Sequence, residues 1–119
     1  MMRDFLLVGL GGAIGSMLRF GISLLLKPFH LIPIATLSVN CIGSFLIGIL
    51  AGISIRESQS GWYLLLATGI CGGFTTFSAF SLEGMQLLQQ QKTGIYLTYT
   101  GVSVILGLIF AWLGWKIMR

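Results

Sequence analysis

Apolar residues run in four long stretches, at about 5–26, 34–53, 62–88 and 95–117, separated by short connections near 27–33, 54–61 and 89–94. Each stretch reaches the roughly 20 residues a helix needs to cross the hydrocarbon core of a bilayer. Backbone groups find no water there, so only helices and closed barrels span, and stretches this long without alternation are helices. The pattern predicts an all-α membrane protein of four spans with both termini on one side. No Pro/Gly/Ser-rich linker, charge run or low-complexity segment divides residues 1–119, which read as one transmembrane domain. The first stretch continues beyond a signal-peptide core and carries Arg19, with no small-residue cleavage pattern after it, so it is read as a span.

The third stretch departs from the pattern. Within "CGGFTTFSAF", Gly72, Gly73, Thr75 and Thr76 are poor helix formers. A helix broken at membrane depth frees amides and carbonyls, which is tolerated only where protein, water or an ion satisfies them. The expectation is therefore a third helix broken in mid-membrane between Gly72 and Thr76, with an ion site built from backbone. Phe77, Phe80, Ser81 and Gly84 then share one face of the half-helix that follows. Phenylalanine in a membrane ordinarily packs, but its ring edge is electropositive and suits an anion.

Polar and small residues form stripes in the other spans. "GLGGAIG" at 9–15 lacks the third glycine of a dinucleotide fingerprint, Ile14 standing there, and has no βαβ context. Gly11 and Gly15 instead form a small-xxx-small pair for close helix approach, with Arg19 one turn further on the same face. Thr36, Asn40, Ser44, Gly48 and Gly52 recur every four residues, so their stripe faces protein or water. Ser44, Gly48 and Gly52 read as packing, whereas the Asn40 carboxamide carries two donors suited to an anion. Tyr99, Ser103 and Gly107 repeat the spacing in the fourth span, where each hydroxyl also fits back-bonding to its own helix.

Composition narrows the function classes. The chain is 55% hydrophobic and 8% charged, against about one-quarter charged in soluble domains. Its net charge of +4 is scattered over ends and short loops, which reads as interfacial anchoring rather than nucleic-acid binding. Arg3, Arg56, Lys116 and Arg119 fall on the terminus side, Lys27 and Lys92 on the other, with Arg19 near that second side. So slight a bias permits insertion both ways up, and hence an antiparallel homodimer, as readily as one orientation. Trp62, Trp112 and Trp115 on one side, and Phe29 and Tyr96 on the other, read as interfacial aromatic anchors, with His30 an interfacial side chain. Cys41 and Cys71 lack metal-site spacing and read as small buried thiols. Met17, Met85 and Met118 read as packing residues. Glu83 is the one carboxylate near the broken span, Asp4 and Glu57 lying near helix ends. Without an acid–base pair, a nucleophile–base pair or a metal cluster, an enzyme is not indicated.

"GGAIGSMLRF" in the first span, "TLSVNCIGSFLIG" in the second and "GICGGFTTFSAFSLE" in the third are similar to the motifs of the Fluc/CrcB-type fluoride ion channel family, over essentially the whole chain. The resemblance implies a multi-pass protein of the cell's inner membrane that passively exports fluoride and confers fluoride resistance. It implies an antiparallel homodimer with two pores at its interface and a central structural Na⁺ on the backbone carbonyls of Gly72 and Thr75. By the same resemblance Asn40, Phe77, Phe80, Ser81, Tyr99 and Ser103 line the fluoride path, Glu83 is a pore-end acid and Arg19 the first-span arginine. Ala79 replaces a hydroxyl residue common between the two phenylalanines, and Gly107 continues the polar track without one. The other reading for a four-span chain of balanced charge is a dual-topology, proton-coupled multidrug exporter. That machinery needs a carboxylate inside the first span, where this chain has only Asp4 near its end.

Overall fold

The computed structural model describes residues 1–27, 31–54 and 61–118. Phe29, His30, Arg56, Glu57 and Arg119, placed above by sequence, lie outside the described residues. The described chain is helical, with no β-strand, and four of its segments are long and apolar enough to cross a membrane. The first is α1 (Met2–Leu25), the second α2 (Ile34–Ser54) and the last α6 (Thr93–Ile117). The third, Gly61–Gln89, is composite. It opens with α3 (Gly61–Tyr63), passes into a π-helix (Leu64–Cys71), returns to α4 (Gly72–Phe74), and resumes after two residues as α5 (Phe77–Gln89).

The interruption is shorter and later than the glycines suggested. Gly72 is helical, with φ −62° and ψ −39°. Thr75 (φ −80°, ψ 157°) and Thr76 (φ −150°, ψ 121°) are extended. Gly72 and Gly73 stay in the ladder because their φ/ψ can be helical and every amide at membrane depth needs a partner. Among the described residues no glycine has a positive φ. Close approach, rather than backbone freedom, is what the packed glycines provide.

Two glycine seams hold the bundle. α1 lies along the π-helix and α4. A Cβ on Gly11 would sit 2.8 Å from the Gly69 Cα, and one on Gly15 would sit 2.8 Å from the Phe74 nitrogen. Gly73 faces Gly12 from the other side. The second seam joins α2 to α6, where a Cβ on Gly48 would strike the Ala111 carbonyl and one on Gly114 the Phe45 carbonyl. Along the seam Ser44, Gly48 and Gly52 meet Gly107, Ala111 and Trp115 in the same order, so these helices run parallel, as second and fourth spans must. Gly52 lies against Trp115 and Met118, and Gly61 against Leu7 and Arg3, which puts both termini, Trp62 and Trp115 at one end. Tyr96, read as an anchor, packs its ring over Gly84 of α5. The outer surface is apolar, with Phe5, Phe20, Leu24, Leu97, Ile105 and Leu108 more than half exposed, as lipid-facing helices require. This is a multi-pass membrane protein.

Candidate functional site

The two extended residues are held by side chains from neighbouring spans. Asn40 of α2 acts as a piece of backbone. Its Oδ1 accepts the Thr76 N–H at 2.9 Å and its Nδ2 donates to the Thr76 carbonyl at 3.2 Å. Thr76 in turn caps α5, its Oγ1 accepting the Ala79 N–H at 3.1 Å, which satisfies a donor that a helix start leaves open. The Thr75 hydroxyl donates back to the Cys71 carbonyl at 2.9 Å, and its methyl fills the space beside Gly43. From the opposite side, Arg19 of α1 donates through Nε to the Gly73 carbonyl at 3.2 Å. That contact places a cation at the C-terminal, partly negative end of the first half-helix.

These bonds leave particular carbonyls uncommitted. In a continuous helix the Gly72 carbonyl would receive the Thr76 N–H, which is here diverted to Asn40. The extended ψ of Thr75 takes its carbonyl out of the helical ladder as well. Gly72 is exposed. Carbonyl oxygens released from the helical ladder suit a hard cation, so the residues fit the Na⁺ that the family resemblance implies. Among the described residues there is no cluster of His, Cys, Asp or Glu able to hold a metal.

An open groove of about 450 Å³ runs beside the interruption, between α2, the third span and α6. Asn40, Ser44, Thr75, Thr76, Phe77, Phe80, Ser103 and Gly72 line it, with Cys71 and Gly107. Phe77 is 79% exposed, while Phe80 is wedged between it and Tyr99, at ring-centre distances of 5.9 and 5.2 Å. The Ser103 hydroxyl oxygen is shut off from solvent without a hydrogen-bond partner. Asn40 retains one N–H after binding Thr76, so it brings a single donor to the groove, not the two its chemistry allows.

A polar node lies one turn beyond. Glu83 of α5 accepts the Thr36 hydroxyl at 2.9 Å through Oε2 and the Tyr99 hydroxyl at 3.2 Å through Oε1. Tyr99 is 1% exposed, so its O–H is committed to Glu83 within the bundle. Ser81 is exposed on α5 and outside the residues that line the groove. Of the residues proposed from sequence, the structure thus gathers Asn40, Gly72, Thr75, Phe77, Phe80 and Ser103 around one groove and joins Glu83 to Tyr99. Arg19 stands behind the interruption, and Ser81 stands apart. Sequence reasoning missed the bond from Thr36 to Glu83 and the double role of Thr76. A Thr three residues before Ala79, ahead of an apolar helix, carries the N-cap spacing that would have revealed Thr76.

Residues 6–115 match the family described as CrcB-like protein, Camphor Resistance (CrcB). The chain is 43% identical over 123 residues to the fluoride-specific ion channel FluC of Methylobacillus flagellatus, covering 99% of this chain and 96% of that protein. It is 45% identical over 119 residues to the protein of the same name from Thermus thermophilus, at 98% and 95% coverage. It is 43% identical over 118 residues to fluoride-specific ion channel FluC 2 of Bacillus thuringiensis subsp. konkukian, at 98% of each. A likeness of this extent, carried through every span that builds the groove, makes the chain a member of the CrcB-like family.

Proposed function

We propose that this protein is a passive, fluoride-selective channel of the cell's inner membrane, conferring fluoride resistance by letting cytoplasmic fluoride leave. The observation that carries the reading is full-length similarity to relatives named fluoride-specific ion channels. The groove supplies chemistry that suits it. Fluoride is small and tightly hydrated, so a selective path must replace water by closely spaced donors. Phe77 and Phe80 offer ring edges, Ser103 an unpaired hydroxyl and Asn40 its remaining N–H. Ser81, exposed on α5 one turn beyond Phe77 and outside the groove lining, would enter such a path only across a subunit boundary. Arg19 holds the broken backbone and adds positive potential behind it, while Glu83 gathers Thr36 and Tyr99 at the end of the path. Outside acid protonates fluoride, neutral HF crosses lipid, and fluoride is trapped within; a passive pore relieves this without a nucleotide site.

The working unit in this reading is an antiparallel homodimer with two pores. The near-even Lys/Arg split supports dual insertion, and the exposure of Phe77 and Gly72 on one protomer leaves them free for a second subunit to cover. The carbonyls of Gly72 and Thr75 would hold a structural Na⁺ on the dimer axis. A cation held by these carbonyls would supply positive charge that offsets carbonyl ends otherwise costly in lipid.

Efflux from liposomes loaded with potassium fluoride, read by a fluoride electrode with chloride as the comparison, tests the function. Fluoride release without a proton gradient, and no matching chloride release, is the expected outcome. Release that requires a proton gradient overturns it and favours an exporter.

A further inference from the structure

We infer that the Thr100 hydroxyl is a further anion-binding group, contacting partly dehydrated fluoride beside Ser103. The inference rests on the channel reading above and extends it to a residue outside the striped positions. Hydroxyls inside an apolar helix have a ready partner in the carbonyl three or four residues back. This chain uses that partner repeatedly. Ser16 donates to Ala13, Ser23 to Phe20, Thr75 to Cys71 and Thr98 to Gly94, at 2.6 to 3.1 Å. Thr36 and Tyr99 find the Glu83 carboxylate instead.

Thr100 and Ser103 do neither. Among the described residues, theirs are the two buried side-chain oxygens with no hydrogen-bond partner. A buried hydroxyl left unpaired is costly, and native structures rarely keep one without a guest to satisfy it. Here two occur three residues apart on one helix, which places them one turn from each other on adjoining rows. Ser103 lines the groove, and Tyr99, next to Thr100, touches the ring of Phe80 that also lines it. Ser103 thus faces the groove, and Thr100, outside the residues that line it, lies one turn back along α6 beside the residue that joins the Glu83 node. Thr98, two residues earlier, is exposed and already bonded to its own helix, so the difference is specific to the buried position.

A small, hard anion is the guest this chemistry selects. The two O–H groups are donors on short side chains, and the surrounding helix carbonyls are engaged in the ladder. A larger halide binds isolated hydroxyls less strongly because its charge is more diffuse.

The test compares wild type, Thr100→Val and Thr100→Ser in the liposome efflux assay and in thermal melts of the purified protein. Valine keeps the shape and removes the hydroxyl. Thr100→Val is expected to lower fluoride flux by about tenfold, the loss of one hydrogen bond to a charged partner. It should also raise the fluoride concentration for half-maximal flux and leave the melt unchanged or higher. Thr100→Ser should recover most of the lost flux. If Thr100→Val conducts like the wild type, the inference fails while the channel reading stands. If its melting temperature falls with its flux, the hydroxyl serves the fold and the inference fails. A wild-type protein that passes no fluoride overturns the channel reading and this inference together.

Discussion

The stripe on α2 repeats every four residues, yet its two halves work in different ways. Toward the C-terminal end, Gly48 and Gly52 let the backbone of α6 come into contact, and the attraction there is dispersion between close-packed main chains. Toward the N-terminal end, Thr36 and Asn40 reach out to Glu83 and to the extended backbone at Thr76. One half resists any added atom. The other tolerates changes of shape but depends on which atoms donate and which accept. Periodicity alone puts these five residues on one face, and only the partner opposite each decides which rule applies.

The largest effect is expected in the glycine half. Gly48→Ala would drive a methyl into the Ala111 carbonyl, which cannot rotate away, so the cost should reach about 3 kcal/mol, the upper part of the usual overpacking range. A thermal melt of the detergent-solubilised protein, or its loss of monodispersity, measures this. Gly52→Ala sharpens the comparison. Its nearest neighbours are the Trp115 carbonyl at 2.9 Å and the Met118 Cβ at 3.0 Å, near the helix end, and the cost should be about 1 kcal/mol. If the two variants melt alike, the seam is not graded along the helix.

In the polar half the expected loss is of function. Asn40→Asp can still accept the Thr76 N–H, but it exchanges the donor to the Thr76 carbonyl for an acceptor and sets two oxygens against each other. Fluoride efflux should fall to the level of empty liposomes while the protein still elutes like the wild type on size exclusion. Normal efflux would show that neither the clamp on Thr76 nor the remaining N–H matters to permeation.

Smaller effects are expected at the phenylalanines. Phe77→Ile removes an exposed ring and should leave the melt unchanged, while Phe80→Ile also gives up contact with Tyr99 and should melt slightly lower. Both lose the electropositive edge, and fluoride flux should drop about tenfold. Methionine at either site is the finer control, since a polarizable thioether retains part of the function. Wild-type flux in both isoleucine variants would return the two rings to ordinary membrane core.

The smallest change is expected for Thr75→Ser. Serine keeps the hydroxyl that donates to the Cys71 carbonyl and leaves the backbone carbonyl in place, while the lost methyl beside Gly43 costs less than about 1 kcal/mol. Flux should stay within about twofold of wild type. A large loss would mean that the side chain, rather than the carbonyl, does the work at this position.

Some of this was legible residue by residue. Gly11 and Gly15 at four-residue spacing predicted a close helix approach, and they meet Gly69, Ile70 and Phe74. Two glycines and two threonines in an apolar run predicted a helix broken between Gly72 and Thr76, and of these Thr75 and Thr76 are extended. The glycines beside them misplaced its start, because glycine weakens a helix in water far more than in a packed seam where it lets α1 approach. The π-helix of Leu64–Cys71, which packs along α1, left no mark on its sequence, since apolar residues such as Leu64, Leu65, Leu66 and Ala67 suit an ordinary α-helix equally well.

The sequence by itself determined that four apolar helices cross a membrane with short connections, because lipid leaves a chain of this composition no other way to satisfy its backbone. It also determined which faces carry small and polar groups, through spacing alone. Tertiary structure decided the partners. That Arg19 binds the Gly73 carbonyl, that Asn40 holds both polar atoms of Thr76, and that Thr36 and Tyr99 converge on Glu83 are all contacts between different spans. Their geometry depends on helix rotation and depth, which the two glycine seams set and no local pattern encodes.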